Sequence, residues 1–275
     1  MTKIEYFLIK VTARCNLNCD YCYFFNKADQ SWRNLPGKMS NEVMDATIQC
    51  IGEDVLNEPR EITIVFHGGE PLLFGTETIK YFVSTFDELF PTIDRNYGIQ
   101  TNGFKFTEEM MNDLEDLDVS ISVSIDGPQS INDLHRLDHV GNSSFDSVNH
   151  SLEILKENNL LNGIISVASL DTNPRVLLEY LNNYVDPAHD ILPPDGNHTS
   201  TSVTEASEAA VWFTDCFVGW LTDYPDLRIR FFEHLLGAVL EEGAIGTDAF
   251  GLGAPNLISI EPDGSIHGLD VLKIV

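Results

Sequence analysis

Short apolar runs alternate with longer amphipathic stretches along the first two thirds of the chain. Six runs have the length and composition of buried strands, and the stretches between them carry apolar residues at helical spacing. The predicted strands span residues 6–11, 62–66, 97–100, 119–125, 163–168 and 189–192. Strands that alternate with helices favour parallel pairing through right-handed crossovers. The pattern therefore predicts an α/β fold.

Five helices are predicted between these strands. One begins after Ser40, whose hydroxyl can cap the first turn, and the others span about 77–89, 107–117, 144–157 and 174–184. After residue 192 the alternation stops, and two helices are predicted at about 205–223 and 228–240. Two apolar runs around Pro262-Asp263-Gly264 then predict a β-hairpin with a partly exposed edge. We divide the chain into a core over residues 1–200 and a helical segment with a hairpin over 201–275.

The composition is typical of a globular protein of the cytoplasm. The chain has 275 residues, of which 43% are hydrophobic, enough for one large core. No apolar run approaches the roughly 20 residues of a membrane helix, and no secretory signal is recognised. The net charge is −27, from 43 acidic and 16 basic residues. Such a surface disfavours nucleic acid and anionic membrane as partners and favours a basic or neutral peptide, although solubility or salt adaptation explains it equally well.

Three cysteines follow the first predicted strand with the spacing C-x3-C-x2-C: Cys15, Cys19 and Cys22. Three thiolates this close can hold three irons of a cubane cluster and leave the fourth iron open to a cofactor or substrate. The alternative is a structural zinc site, which normally needs four ligands. The sequence has no second cysteine pair, and the next histidine, His67, lies 45 residues beyond Cys22. The spacing therefore favours the cluster over zinc.

This spacing, with Tyr21 before the third cysteine, resembles the radical S-adenosylmethionine (SAM) superfamily. Residues 66–71, Phe-His-Gly-Gly-Glu-Pro, resemble the Gly-Gly-Glu-Pro motif of that family at the end of the second strand. Two glycines allow close approach of the backbone to a ligand, and the carboxylate of Glu70 suits the ammonium group of methionine. The resemblance implies an open, partial (β/α)6 barrel of the TIM type, with one [4Fe–4S] cluster and SAM as cofactors.

Further residues near the strand ends resemble the SAM-binding positions of the family. Ser124 and Asp126 form a Ser-x-Asp-Gly motif, which also has the composition of a simple turn. The segment ending at Arg136 is similar to the His-Asp-x-x-Arg stretch of the family, with Asn132 in place of the histidine. By the resemblance, Arg136 binds the SAM carboxylate, Ser124 contacts SAM, and Asp126 lies near the ribose or the substrate and is a candidate catalytic residue. The predicted metal ligands are Cys15, Cys19 and Cys22, and the predicted cofactor-binding residues are Tyr21, Tyr23, Gly68, Gly69, Glu70, Gln100, Asn102, Ser124, Asp126 and Arg136.

Four segments in order, residues 7–11, 143–146, 189–198 and 260–265, resemble the SPASM-type radical SAM maturases of ribosomally made peptides. The most similar branch joins an aromatic ring carbon to a β-carbon and forms cyclophanes. The resemblance implies a 5′-deoxyadenosyl radical, a precursor peptide as substrate, and an electron donor such as ferredoxin or flavodoxin. A sulfatase-maturase-like enzyme and a catalytically silent scaffold that binds peptide or SAM remain alternatives.

Asp195 follows the sixth predicted strand and is a candidate base for the proton that the ring loses, although it also suits a turn after two prolines. His198, in the same loop, is expected to face solvent. Maturases of this type continue into a cysteine-rich extension, but only Cys50 and Cys216 lie outside the first loop. We therefore expect no further cluster, and we interpret residues 201–275 as the start of an incomplete auxiliary domain.

Overall fold

The structure is a computed structural model that describes residues 3–195, 203–240 and 255–269. The described strands form one eight-stranded sheet in the order β6-β5-β4-β3-β2-β1-β7-β8. β1 to β6 are parallel, β7 is parallel to β1, and β8 is antiparallel to β7. The strands are β1 (Tyr6–Thr12), β2 (Ile62–Gly68), β3 (Arg95–Thr101), β4 (Val119–Ser124), β5 (Leu161–Val167), β6 (Ala188–Leu192), β7 (Leu257–Ile260) and β8 (Ile266–His267). The predicted α/β fold is confirmed.

Helices connect the strands, and their bounds lie close to those predicted. Ser40 caps α2 as expected, because its hydroxyl accepts a hydrogen bond from the Val43 amide at 3.3 Å. The short helices α1 and α5 were not predicted. The helices are α1 (Tyr23–Asn26), α2 (Asn41–Asn57), α3 (Glu77–Leu89), α4 (Glu108–Asp116), α5 (Gln129–His135), α6 (Phe145–Glu157), α7 (Pro174–Leu181), α8 (Val203–Asp223) and α9 (Arg230–Leu240). Within the described ranges, no helix has the length and apolar character needed to cross a membrane.

The two faces of the sheet differ in polarity. Alternate residues of a strand point to opposite faces, and one face carries fully buried aliphatic side chains such as Ile9, Ile64 and Ile121. These belong to the main hydrophobic cluster, together with apolar residues of the surrounding helices. The other face carries polar residues, among them Lys10 on β1 and Ser124 on β4. The sheet therefore supports an apolar core on one side and a polar inner surface on the other.

The predicted hairpin forms, but its first strand also extends the central sheet. β7 pairs with β1 from Tyr6 opposite Leu257 to Ile9 opposite Ile260. Beyond the last pair, Lys10 and Glu261 form a buried ion pair with 2.9 Å between Nζ and Oε1. β7 therefore lies between β1 and β8, and β8, whose two residues are exposed, forms the outer edge of the sheet. The division of the chain at residue 200 stays a prediction.

Candidate active site

The cysteine loop leaves β1 at the carboxyl end of the sheet and is fixed on two sides. On one side, the amides of Gly69 and Glu70 donate to the carbonyls of Thr12 and Arg14, both at 2.9 Å. On the other side, the Asn18 amide donates to the Leu137 carbonyl at 2.8 Å. The loop is thereby held between the end of β2 and the segment after α5. Chemistry in parallel barrels gathers at this end of the strands.

Gly68 and Gly69 are required by the close packing of β2 against the cysteine loop. Gly68 has φ of +124°, a conformation that favours glycine. A Cβ on Gly69 would lie 2.1 Å from the Arg14 carbonyl oxygen and 2.9 Å from Cζ of Phe25. The sequence predicted that these glycines let the backbone approach a ligand. The structure shows that they let it approach the loop that carries the cysteines, and their contact with SAM stays a prediction.

The three cysteines are half-buried, in an environment that disfavours a bare thiolate. Burial raises the pKa of Cys15 to about 12, and it also raises the pKa values of Cys19 and Cys22. Cys15 Sγ accepts hydrogen bonds from the Leu17 amide at 3.4 Å and from Nδ2 of Asn102 at 3.5 Å. Thiols in such a place need a metal to become thiolates, because the positive charge of the metal compensates for lost solvation.

In the described part of the chain, no group of three or more His, Cys, Asp or Glu side chains is arranged to hold a single metal ion. A tetrahedral zinc needs its sulfur ligands at about 2.3 Å from one point. In a cubane each thiolate binds a different iron, so the sulfurs stand apart around the cluster. The three cysteines of this loop supply three of the thiolates that a cubane needs.

Glu70 joins the ends of β2 and β3. Its carboxylate is 2% exposed, and it accepts hydrogen bonds from the Leu72 amide at 2.9 Å, the Thr101 hydroxyl at 2.7 Å and the Asn102 amide at 2.7 Å. Burial raises the pKa of Glu70, and these donors lower it. The sequence assigned this carboxylate to the ammonium group of methionine. In the structure three donors of the chain hold it, one of them the amide of Asn102, and its contact with the ammonium group stays a prediction.

Tyr21, Asp126 and Arg136 form a buried hydrogen-bonded network. The Tyr21 hydroxyl donates to Oδ2 of Asp126 at 2.7 Å, and Nη1 of Arg136 donates to the Tyr21 oxygen at 2.9 Å. The amide of Val167, on β5, donates to Oδ1 of Asp126 at 2.9 Å. Burial raises the pKa of Asp126, while the charge of Arg136 lowers it. The network brings together three of the residues that the sequence predicted to bind cofactor.

Arg136 retains a buried donor. It is 5% exposed, and its Nε atom has no hydrogen-bond partner among the described residues. A buried donor of this kind is costly without a partner, and a guanidinium suits a carboxylate. Asn132 fixes the backbone here, because its Nδ2 donates to the Ser144 hydroxyl at 3.2 Å and that hydroxyl donates to the Arg136 carbonyl at 2.6 Å. The residues present therefore fit the carboxylate of SAM.

The remaining predicted residues also lie at this end of the sheet. Nε2 of Gln100 donates to the Ser124 hydroxyl at 2.8 Å, which links the ends of β3 and β4. Tyr23 is half-buried at the start of α1. Asp195 is half-buried, and its charge contributes to the raised pKa of Cys22, which places it on the side of the cysteine loop. His198 lies outside the described residues.

The profile of the radical SAM superfamily matches residues 9–179. The chain belongs to the radical SAM superfamily. This match confirms an enzyme of the radical SAM class and the predicted cofactors, a [4Fe–4S] cluster and SAM. The roles of individual site residues of this radical SAM protein stay predictions.

Relatives with known descriptions resemble most of the chain. A cysteine-type anaerobic sulfatase-maturating enzyme of Clostridium novyi is 24% identical over 98% of this chain and 74% of its own length. The radical SAM cyclopropyl synthase TigE of Paramaledivibacter caminithermalis is 30% identical, but over 66% of this chain and 38% of its own length. The solved structure of native anSMEcpe with bound AdoMet and Cp18Cys peptide has a TM-score of 0.80 at 23% identity, over 97% of this chain and 74% of that one. That structure shows a shared fold.

Two features of this radical SAM site were not predicted from the sequence. The first is the side chain of Asn16, whose Nδ2 donates to the Phe104 carbonyl at 3.2 Å and whose Oδ1 accepts from Asn102 at 2.8 Å. The second is the ion pair of Lys10 and Glu261 on the polar face of the sheet. A lysine inside an apolar strand was a visible signal, but its partner lies 251 residues away.

Proposed function

We propose that this radical SAM enzyme modifies a peptide at a β-carbon, and that its specific reaction joins an aromatic ring carbon to that β-carbon. The observation that carries the proposal is the Tyr21–Asp126–Arg136 network beside a loop of three half-buried cysteines. The relatives support a peptide substrate, since one matures sulfatases and one structure contains a bound peptide. The ring-to-β-carbon bond is supported by the sequence segments around residues 189–198.

The chain itself contributes position and exclusion of water. When bound, the reduced cluster and SAM supply a 5′-deoxyadenosyl radical that abstracts a hydrogen atom from the substrate. Arg136 offers its Nε to a carboxylate, and Tyr21 holds the guanidinium in place through Nη1. Because Asp126 and Arg136 are buried, water is largely excluded around this network.

Asp195 is the candidate proton acceptor. A crosslink between a ring carbon and a β-carbon releases one hydrogen atom to the deoxyadenosyl radical, one proton to a base, and one electron to an oxidised carrier protein. Burial raises the pKa of Asp195, and the charge of Lys27 lowers it. A half-buried carboxylate beside the cysteine loop can accept the proton.

A second candidate is the oxidation performed by sulfatase maturases, which forms formylglycine. It is favoured by the similarity to the sulfatase-maturating enzyme, which extends over 98% of this chain. The two reactions give different products, because formylglycine contains an aldehyde and a cyclophane does not.

The test uses protein reconstituted anaerobically with iron, sulfide, SAM and dithionite. Its substrates are an aromatic-rich peptide encoded by a neighbouring short reading frame and a sulfatase peptide with the target Cys or Ser. Crosslinking is supported if the aromatic-rich peptide loses two hydrogens and is not labelled by a hydrazide. Tandem mass spectrometry should then give no fragments from cleavage between the two linked residues. Hydrazide labelling of the sulfatase peptide alone supports the second candidate. If no 5′-deoxyadenosine forms with either peptide, both candidates are wrong and the protein is a binding scaffold.

A further inference from the structure

A surface groove lies between the first turn of α7 and one face of α8. Its volume of about 690 Å³ is within the usual range of ligand sites. Its apolar lining consists of Leu170, Pro174, Val211, Trp212 and Val218, and we call this site the α7–α8 groove. Val211 is 62% exposed and Val218 is 45% exposed, so the apolar surface is open to solvent. Exposed apolar side chains that line a concavity are typical of an interaction site.

Acidic side chains alternate with the two valines along α8. Glu208, Val211, Asp215 and Val218 follow one another at intervals of three, four and three residues, which places them in a line on one face of the helix. All four side chains are exposed. The ion pairs found among the described residues involve neither of these two carboxylates. The line therefore presents apolar surface and uncompensated negative charge together.

The basic residue of the groove does not neutralise this charge. Among the described lining residues, the basic one is Arg175, and its Nη1 is paired with the carboxylate of Asp223 at the end of α8. The sequence of α8 itself contains no Lys or Arg. The α7–α8 groove is therefore negative overall, and it offers carboxylates to basic groups of a bound molecule.

Contacts between α7 and α8 hold the groove in shape. Trp212 is 4% exposed, and its Nε1 donates to the Thr172 carbonyl at 2.8 Å, which ties the loop before α7 to α8. Oδ1 of Asn173 accepts from the Arg175 amide at 3.0 Å and caps α7. A Cβ on Gly219 would lie 3.0 Å from a methyl carbon of Leu178, so the two helices touch closely beside the groove. A site formed in advance requires little ordering when a ligand binds.

One end of the groove lies near the candidate active site. The amide of Val167 donates to Oδ1 of Asp126 at 2.9 Å. Leu170 follows Val167 by three residues, a separation of at most about 11 Å between their Cα atoms. Between them, the hydroxyl of Ser169 lies 3.4 Å from Nε2 of His135, on the helix that ends beside Arg136. A chain that lies in the groove can therefore continue to the residues that are predicted to bind SAM.

We propose that the α7–α8 groove binds the substrate peptide next to the residue that is modified, through a segment that carries both apolar and basic side chains. This inference rests on the proposed function, which takes a peptide as the substrate. The valines provide apolar contact, and Glu208 and Asp215 attract the basic side chains. From Glu208 to Val218 the line is about 15 Å long, which about five extended residues can cover. A second copy of this chain is a poor occupant, because proteins of charge −27 repel each other.

The first test reverses the charges of the groove in the reconstituted full chain. Glu208→Lys with Asp215→Lys is compared with Glu88→Lys and Glu115→Lys, an equal change of charge at exposed positions of α3 and α4. The probes are two fluorescein-labelled synthetic peptides, one in which Phe alternates with Lys and one with Glu in place of each Lys. Binding is measured by fluorescence anisotropy at low and high salt, and thermal unfolding shows whether each variant folds.

We expect the unsubstituted protein to prefer the peptide that contains Lys. The groove variant should bind this peptide about tenfold more weakly at low salt, with a smaller difference at high salt, because exposed charge pairs are individually weak and screened. It should also bind the peptide that contains Glu better than the unsubstituted protein does. The control variant should keep the original preference.

The second test removes apolar contact without changing charge. Val211→Ser with Val218→Ser is compared with Val140→Ser and Val239→Ser, two valines that are 81% and 74% exposed outside the groove. The groove variant should bind the peptide that contains Lys about fivefold more weakly at both salt concentrations, because apolar contact is not screened. The control should bind as the unsubstituted protein does.

The proposal is overturned if the unsubstituted protein does not bind the peptide that contains Lys, or binds both peptides equally. Equal affinities of a groove variant and its control would overturn it too, as would a dimer in sedimentation velocity that the groove variants abolish, since a second copy would then be the occupant. For a peptide that the enzyme modifies, KM should rise in the groove variants, and an unchanged KM contradicts the proposal. If neither 5′-deoxyadenosine nor modified peptide forms while binding still depends on the groove, the proposed function is wrong and the groove remains a peptide-binding site.

Discussion

The buried pair of Lys10 and Glu261 allows a quantitative test of how β7 is held to the core. The side chain of Lys10 is 0% exposed and that of Glu261 is 2% exposed, with 2.9 Å between Nζ and Oε1. Lys10 Nζ also lies 4.8 Å from the centre of the Phe24 ring. Removing one member of such a pair leaves an uncompensated charge in a medium that solvates it poorly.

Lys10→Met preserves most of the volume and removes the charge. We expect it to lower the free energy of unfolding by about 3–5 kcal/mol, the usual loss for a broken buried pair. The double substitution Lys10→Met with Glu261→Leu should cost less than the sum of the single changes, because no isolated charge remains. Lys3→Met is the matched control. Its ion pair with Glu58 is about half exposed, at 45% and 57%, and should contribute about 0.2–1 kcal/mol.

The free energy of unfolding is measured by urea denaturation, which is followed by circular dichroism and tryptophan fluorescence. The slope of that free energy against urea concentration must be the same for all variants. The coupling free energy between Lys10 and Glu261 should be at least about 2 kcal/mol. If Lys10→Met and Lys3→Met lower stability equally, the buried pair does not hold β7 in the way that the contacts indicate.

Four further predictions concern the site and the core. Gly69→Ala should lower the free energy of unfolding by about 1–3 kcal/mol and reduce the iron content on reconstitution, because the added Cβ has no room. The control is Gly237→Ala in α9, where a Cβ meets nothing within 4 Å and the free energy of unfolding should rise by about 0.5–1 kcal/mol. Equal effects of the two substitutions would contradict the packing argument. Cys19→Ala should abolish the charge-transfer absorbance and SAM cleavage, and an unchanged spectrum counts against the cluster ligands. Asp195→Asn should keep SAM cleavage but form less modified peptide, so equal product yield removes it as the base. Burial lowers the pKa of His189 to about 4, so the histidine of the unfolded chain binds a proton at a higher pH than that of the folded chain. The free energy of unfolding should therefore fall by up to roughly 3 kcal/mol between about pH 6.5 and 4. His189→Gln should remove most of this pH dependence in unfolding measurements.

Local periodicity predicted most of the elements. The six core strands and the longer helices have buried faces that repeat with the period of their own secondary structure, so each could be recognised from neighbouring residues. The cap at Ser40 was recognised for the same reason. Short helices such as α5 were missed because seven residues give too little periodicity.

The sequence was less informative where a role depends on distant partners. Glu70 was recognised as a site residue, but its three donors on β3 and its own turn became evident only in three dimensions. The pairing of β7 with β1 and the ion pair of Lys10 with Glu261 join opposite regions of the chain. No local pattern encodes such a partner, and the order of strands in a sheet follows from the fold as a whole.

The position of β7 beside β1 has a consequence for biogenesis. The strand that leads into the cysteine loop has β7 as one neighbour, and that neighbour is separated from it by about 250 residues of chain. During translation the loop therefore emerges long before its supporting strand, and contacts of such high sequence separation form slowly. We expect iron and sulfide to be incorporated stably only after residue 261 has left the ribosome, so stalled nascent chains that end before β7 should retain less iron than those that extend beyond it.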